Sequence, residues 1–214
     1  MKRRLRERIE HWIVVIGHTR GPALVSRLRQ RWVQLRNPRA NISFGRGCRL
    51  GPGFSIHAPW GGTFRCGDGC EFRMGFRAEL FGPDSVIEMG DDCVFTYYSL
   101  VQCAGSISLG DRVMFGQSSM LVDGNHNFRD LTRPMLDQGF ELRPIRIEDD
   151  VTTTTKCTII ADIGRRAFIG ANSVVSRDVP AYTVAVGSPA TPVEYFGPPG
   201  EEPEGWDSSQ ASRK

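Results

Sequence analysis

From Phe44 onward an apolar residue returns about every sixth position, followed by glycine, two turn residues, an inward residue that is usually small, and a variable one. The pattern is read in FGRGCR, LGPGFS, CGDGCE, MGDDCV, LGDRVM, FGQSSM, IGRRAF and IGANSV, with degenerate copies such as FRMGFR, FTYYSL and IEDDVT between them. A hexapeptide period predicts a parallel β-helix: each hexad makes one short strand and one turn, and three close a triangular coil of about eighteen residues. The first residue of each hexad then points inward, and the fifth faces in at a tight corner. Glycine in second place is expected to permit a turn conformation or a close approach of backbones. Stacked coils bury the inward column and hold one another by nearest-neighbour contacts.

The corner position accounts for most of the cysteines. Cys48, Cys70, Cys93 and Cys157 are fifth residues, Cys66 is a first residue, and Cys103 lies in an irregular coil. Free cysteine serves well as a small buried hydrophobe. Because no Cys-x-x-Cys pair occurs, neither a zinc site nor a disulfide framework is expected, and a reducing cytoplasm fits. Coil starts at Phe44, Cys66, Met89 and Leu109 are 22, 23 and 20 residues apart, so small insertions bulge from some corners. One insertion is much larger: the period is lost over residues 122–144 and resumes at Ile145 and Ile147. It opens on DGNHNFRD, where His126 stands among turn-forming Asn and Asp residues. Insertions in a solenoid gather on one face and often carry function, and histidine is the side chain that changes charge near neutral pH.

Residues 1–40 read as a basic amphipathic helical segment. Leu5, Ile9, Trp12, Ile13 and Ile16 repeat at helical spacing, and after Gly21-Pro22 so do Leu24, Leu28, Trp32 and Leu35. Eleven Lys/Arg against Glu7 and Glu10 give this segment +9, leaving −6 for the rest of a chain whose net charge is +3. So small a total gives no reason to expect nucleic acid. The longest apolar run, WIVVI, is far below the ~20 residues a membrane span needs. Two readings follow: a cap packed on the domain with a solvated basic face, or a weak contact of residues 1–36 with an anionic membrane surface. The expected location is cytoplasmic, peripheral to the inner membrane face in the second reading. After Val193 the tail is rich in Pro, Gly and Glu and is expected to be disordered over residues 194–214.

Residues 44–193 resemble the left-handed β-helix hexapeptide-repeat acyltransferases, and within them the sugar O-acetyltransferase branch. The resemblance is carried by the order DGNHNFRD, PIRIEDDV and IGRRAFIGANSVVSRDVPAYTVAVGSPATPV. It implies an all-β, left-handed parallel β-helix over residues 41–193, a homotrimer with active sites between subunits, acetyl-CoA as donor co-substrate, no metal, and a hydroxyl acceptor on a sugar or glycosylated small molecule. By position His126 matches the family's general base. Asp123 or Asp130 is expected to orient its imidazole, and Asn125 to bind acceptor or shape the turn. Gly170, Ala171 and Ser173 match the part that borders the pantetheine arm, and Arg177, Arg165 and Arg166 are candidates for CoA phosphates. Tyr97, Tyr98, Trp60 and Phe128 offer flat faces for an acceptor.

The chain departs from the family at VTTTTKCTII, where Trp-Ile-Gly-Ala is common. Thr153 falls on an inward position, and burying its hydroxyl unpaired costs roughly 1 to 3 kcal/mol. From Ile159 the next inward residue, Ile163, comes only four positions later, so the coil must pinch or the strand slip. The alternative class is therefore a non-catalytic β-helix subunit with a degenerate CoA site. The γ-class carbonic anhydrases share the fold but need three converging histidines, which His11, His18, His57 and His126 do not offer. Serine acetylation is disfavoured because its enzymes carry a larger helical N-terminal domain.

Overall fold

The computed structural model describes residues 23–204 and 206. The first stretch of the basic segment, Leu5 to Ile16, lies outside the described residues. From Ala40 the chain winds into a three-sided prism of parallel strands. The first face stacks Ala40–Phe44, Gly62–Cys66, Val86–Met89, Ser106–Leu109 and Ile145–Ile147; the second runs from Arg49–Leu50 to Thr183–Gly187; the third runs from Ser55–His57 to Val174–Val175. Along the second face Leu50, Phe72, Phe95, Phe115, Thr153, Ile169 and Ala185 form one inward column in register. All seven are buried. The rings of Phe72, Phe95 and Phe115 stack nearly parallel, with centroids 5.5 and 5.1 Å apart.

Each hexad position has its own physical duty. The fourth residue takes the left-handed conformation, with φ between +55 and +59° at Asp92, Arg112, Asp150 and Arg166 on one edge and Tyr98, Ser118, Lys156 and Asn172 on the next. The second-place glycine serves the close approach of coils: a Cβ on Gly116 would lie 2.2 Å from the carbonyl carbon of Thr154. Its carbonyl, in turn, accepts from the fifth side chain of the coil before. Cys48, Cys70 and Cys93 donate their thiols to Gly67, Gly90 and Gly110 at 3.2 to 3.3 Å, and Cys157 does the same to Gly170. Ser119 plays this part with Thr154 at 3.0 Å. Cysteine and serine thus fill the corner because they are small and can donate.

All six cysteines are free and buried. The prism brings Cys48, Cys66 and Cys70 together, their sulfurs within 4.8 Å of one another. Spacing along the chain did not reveal this cluster, because Cys48 comes from the coil before the one that holds Cys66 and Cys70. The neighbouring thiols and burial push the Cys66 thiol well above the ordinary range. Protonated thiols donating to backbone suit a packed core.

The threonine run is absorbed without breaking the prism. Thr153 pairs with Phe115 above and Ile169 below, and its Oγ1 accepts from the N–H of Gly116 at 3.3 Å, while Thr154 Oγ1 donates to the Ile169 carbonyl at 2.8 Å. Of the two outcomes expected after Ile159, the coil pinches. Ile147, Ile163 and Val179 stay paired by single parallel bridges, and Ile159 keeps register with Leu121 and Val175. The last coils simply make a shorter first face.

The helix Ala23–Arg36 caps the first coil, but with the opposite face to the one its apolar spacing predicts. Ser26, Val33 and Asn37 are buried, whereas Leu24, Leu28, Trp32 and Leu35 are 66, 57, 59 and 75% exposed. The reason lies in what the helix covers. The first coil presents unpaired strand edges, and polar side chains satisfy them: Arg29 donates to the Leu50 carbonyl, Ser26 accepts from the Leu50 N–H, and Asn37 bonds the Ile56 carbonyl and the Ala58 N–H.

The tail also differs from expectation at its start. The strand Ala190–Tyr195 returns antiparallel to Thr183–Gly187, the Phe196 N–H donates to the Tyr182 carbonyl, and Trp206 packs against Tyr195. Aromatic contacts at Tyr195, Phe196 and Trp206 supply what the Pro/Gly/Glu composition lacks.

Candidate active site

The long insertion leaves the prism after the third-face strand Met120–Val122 and returns at Ile145. Within it Gly124–His126 pairs antiparallel with Phe140–Leu142, placing His126 opposite Phe140 with ring centroids 4.3 Å apart. The hairpin is closed at its base by the Arg143 N–H donating to the Asp123 carbonyl at 2.8 Å. Beyond it, the Gln138 side chain staples the loop. Its amide donates to the Asp130 and Arg133 carbonyls, and its oxygen accepts from the Asp130 N–H. His126 is therefore an exposed side chain on a braced platform.

Beside it opens a cleft of about 470 Å³ lined by Asn125, His126, Asn127, Phe128, Arg129, Asp130, Arg133, Gln138 and Glu141. Four residues singled out from sequence, Asn125, His126, Phe128 and Asp130, are brought together here. Arg129, Arg133, Gln138 and Glu141 were missed, because nothing in the aperiodic stretch announces that it folds back on itself. The Arg129 guanidinium lies over the Phe128 ring at 5.3 Å.

The carboxylates expected to orient His126 are engaged elsewhere. Asp123 is buried, and its oxygens accept from the N–H groups of Ala104 and Gly105, both at 2.8 Å, and from the Cys103 thiol at 3.3 Å. It anchors the root of the insertion to the coil before. Asp130 turns back on Thr132, whose hydroxyl and N–H hold its carboxyl below the usual range. Replacing Asp123 by Ala leaves two N–H groups without their acceptor, a loss of about 2 to 4 kcal/mol. A lowered Tm together with loss of ordered density for the hairpin is the expected signature.

The other sequence candidates fall on different edges of the prism. Gly170 and Ala171 sit where the second face turns into the third, as do Tyr97 and Tyr98. Ser173 is a correction: it is fully buried, and its Oγ accepts from the Gly187 N–H at 3.1 Å, so it lines the core and not a groove. Arg165 and Arg166 occupy the edge between the first and second faces. There Arg165 lines a smaller depression of about 280 Å³ and lies 3.9 Å from Asp149, away from the histidine cleft. Trp60 shares the edge of the insertion but belongs to the first coil, with the strand Ser55–His57. Arg177 is exposed beside Asp178, whose carboxylate takes Arg143 at the foot of the hairpin.

Parallel hexad coils carrying one inserted hairpin, with a histidine facing a polar cleft, define a hexapeptide-repeat scaffold built to present that histidine. No family model matches the chain. Among curated proteins it is 30% identical over 167 residues to Rv3034c of Mycobacterium tuberculosis, named a probable acetyltransferase, covering 77% of this chain and 53% of that protein. It thus spans about half the length of that relative. It is 25% identical over 162 residues, 72% of this chain and 82% of the other, to WbbJ of Escherichia coli, named a putative lipopolysaccharide biosynthesis O-acetyl transferase. Among solved structures, the hexapeptide-repeat acetyltransferase VCA0836 of Vibrio cholerae, complexed with acetyl coenzyme A, superposes with a TM-score of 0.55. That match has 23% identity over 92% of this chain and 89% of the other. The chain has the left-handed parallel β-helix fold of the hexapeptide-repeat acetyltransferases and is similar in sequence to proteins named acetyltransferases.

Proposed function

We propose that this chain is a CoA-dependent acyltransferase that moves an acetyl group from acetyl-CoA to a hydroxyl of a sugar or glycosylated small molecule. The observation that carries the reading is His126 exposed on a braced hairpin at the mouth of a polar cleft with Asn125, Phe128 and Arg129. A neutral imidazole nitrogen takes the acceptor's proton as its oxygen attacks the thioester carbonyl. The tetrahedral oxyanion collapses, the C–S bond breaks, and the imidazolium returns the proton to the leaving thiolate. A base so placed contributes ~10²- to 10⁴-fold. Phe128 supplies the flat face and Asn125 a hydrogen-bond partner for the acceptor.

The donor edge of Gly170 and Ala171 and the histidine edge are different edges of one prism. A trimer of parallel prisms sets the donor edge of one subunit against the hairpin of its neighbour, with Arg177 available to CoA phosphates. Acetylation of oxygen is favoured over nitrogen by the name that WbbJ carries. The test follows free thiol released from acetyl-CoA with a sugar and with its matched amino sugar as acceptors. Release with the hydroxyl acceptor, giving a hydroxylamine-labile ester, is the expected result. Release with the amino sugar alone, giving an amide, overturns the choice of oxygen.

A further inference from the structure

The capping helix is inverted, and its outward face has no partner among the described residues. Leu24, Leu28, Trp32 and Leu35 fall at successive turns of Ala23–Arg36, all more than half exposed, at the very end of the prism. The helix packs mainly on the first coil, through Arg49–Leu50 and Ala40–Phe44, and Trp32 and Arg36 also edge a groove along Ser55–His57, while Leu24, Leu28 and Leu35 stay open to an approaching surface. Arg27, Arg31 and Arg36 are exposed around that stripe, the Arg36 guanidinium lies over Trp32 at 5.3 Å, and the fourteen residues hold no acidic side chain.

We infer that this face docks the protein on the surface of an anionic lipid bilayer. A leucine–tryptophan stripe fringed by arginines is the pattern that beds into the headgroup boundary, with apolar side chains inserted and guanidinium groups on phosphates. Charge decides against a second copy on the same face, since self-packing sets arginine against arginine. A soluble polyanion would satisfy the arginines and leave the leucines in water. No helix among the described residues is long and apolar enough to cross a membrane. The inference stands independently of acyl transfer.

The test is co-sedimentation of the full chain with phosphatidylcholine vesicles, with and without phosphatidylglycerol, beside retention on poly-glutamate beads. Binding to the anionic vesicles only, weakened by salt, is expected. The double variant Leu28→Asp/Trp32→Asp should lose at least about tenfold in affinity with Tm unchanged. Arg27→Gln/Arg31→Gln should lose on the order of thirtyfold at low salt. The inference is overturned by absence of binding, by equal retention on poly-glutamate, or by binding that ignores Leu28→Asp/Trp32→Asp. A fall in Tm in that variant, showing the stripe already packed within the chain, or a change in its lipid-free sedimentation mass, showing a second copy there, also overturns it.

Discussion

Replacing His126 by Ala is expected to lower acyl transfer at least about 10²-fold while leaving Tm within about 1 °C of the parent. The two halves of this expectation come from the same geometry. His126 is exposed at the end of a short strand, so its imidazole carries little packing beyond the tilted contact with the Phe140 ring. The hairpin keeps its backbone pairs with Phe140 and Leu142, and Gln138 still staples the loop, so the cleft outlives the ring. What disappears, on the proposed mechanism, is the proton acceptor. The readout is kcat/KM from thiol release beside a melting curve. Near-normal turnover with an intact melt would remove His126 from the chemistry, and a collapsed melt would make it a structural residue.

The largest effect on stability is expected at Phe95. Its ring stacks between Phe72 and Phe115 and meets Phe76 edge-on at 4.9 Å, with no exposure to solvent. Phe95→Ala opens a cavity in the middle of the second-face column and should cost about 3 to 5 kcal/mol, or about 6 to 20 °C in Tm for a chain of this size. Because coils hold one another by neighbour contacts, the loss should spread to the coils on either side. Thr153→Val, in the same column, is the control. The Gly116 N–H keeps the Thr153 main-chain carbonyl at 2.9 Å, so removal of the hydroxyl should shift Tm little. Equal losses at Phe95 and Thr153 would contradict the view that ring packing dominates this column.

The prism was legible in the sequence because its two inward positions repeat strictly, as Phe95, Phe115 and Cys93 show. The glycines were half legible: those in second place serve close approach, while the left-handed turn falls two residues later, on Gly47 or Gly69 in the early coils but on Tyr98 or Lys156 in later ones, types that give no warning. The capping helix misled because apolar spacing assumes an apolar surface to cover, and a β-helix ends in backbone edges. Asp123 misled for a related reason. A carboxylate near a histidine looks like its orienting acid until the N–H groups of Ala104 and Gly105 are seen to claim it. For the site, His126, Asn125 and Phe128 were found because they follow one another at the head of the insertion. Arg129 stands beside them, but Arg133, Gln138 and Glu141 join the cleft only through the return of the chain along Phe140–Leu142.

On the proposed mechanism a rigid β-helix presents His126 to a CoA thioester delivered along a neighbouring prism edge. A crystal structure of the chain with CoA bound tests it most directly. CoA is expected along Gly170 and Ala171, with its sulfur close enough to His126 that an acceptor oxygen attacking an acyl carbonyl on that sulfur lies within ~3 Å of a ring nitrogen. CoA bound at another edge with its sulfur far from His126, or no CoA bound at saturating concentration, would contradict it.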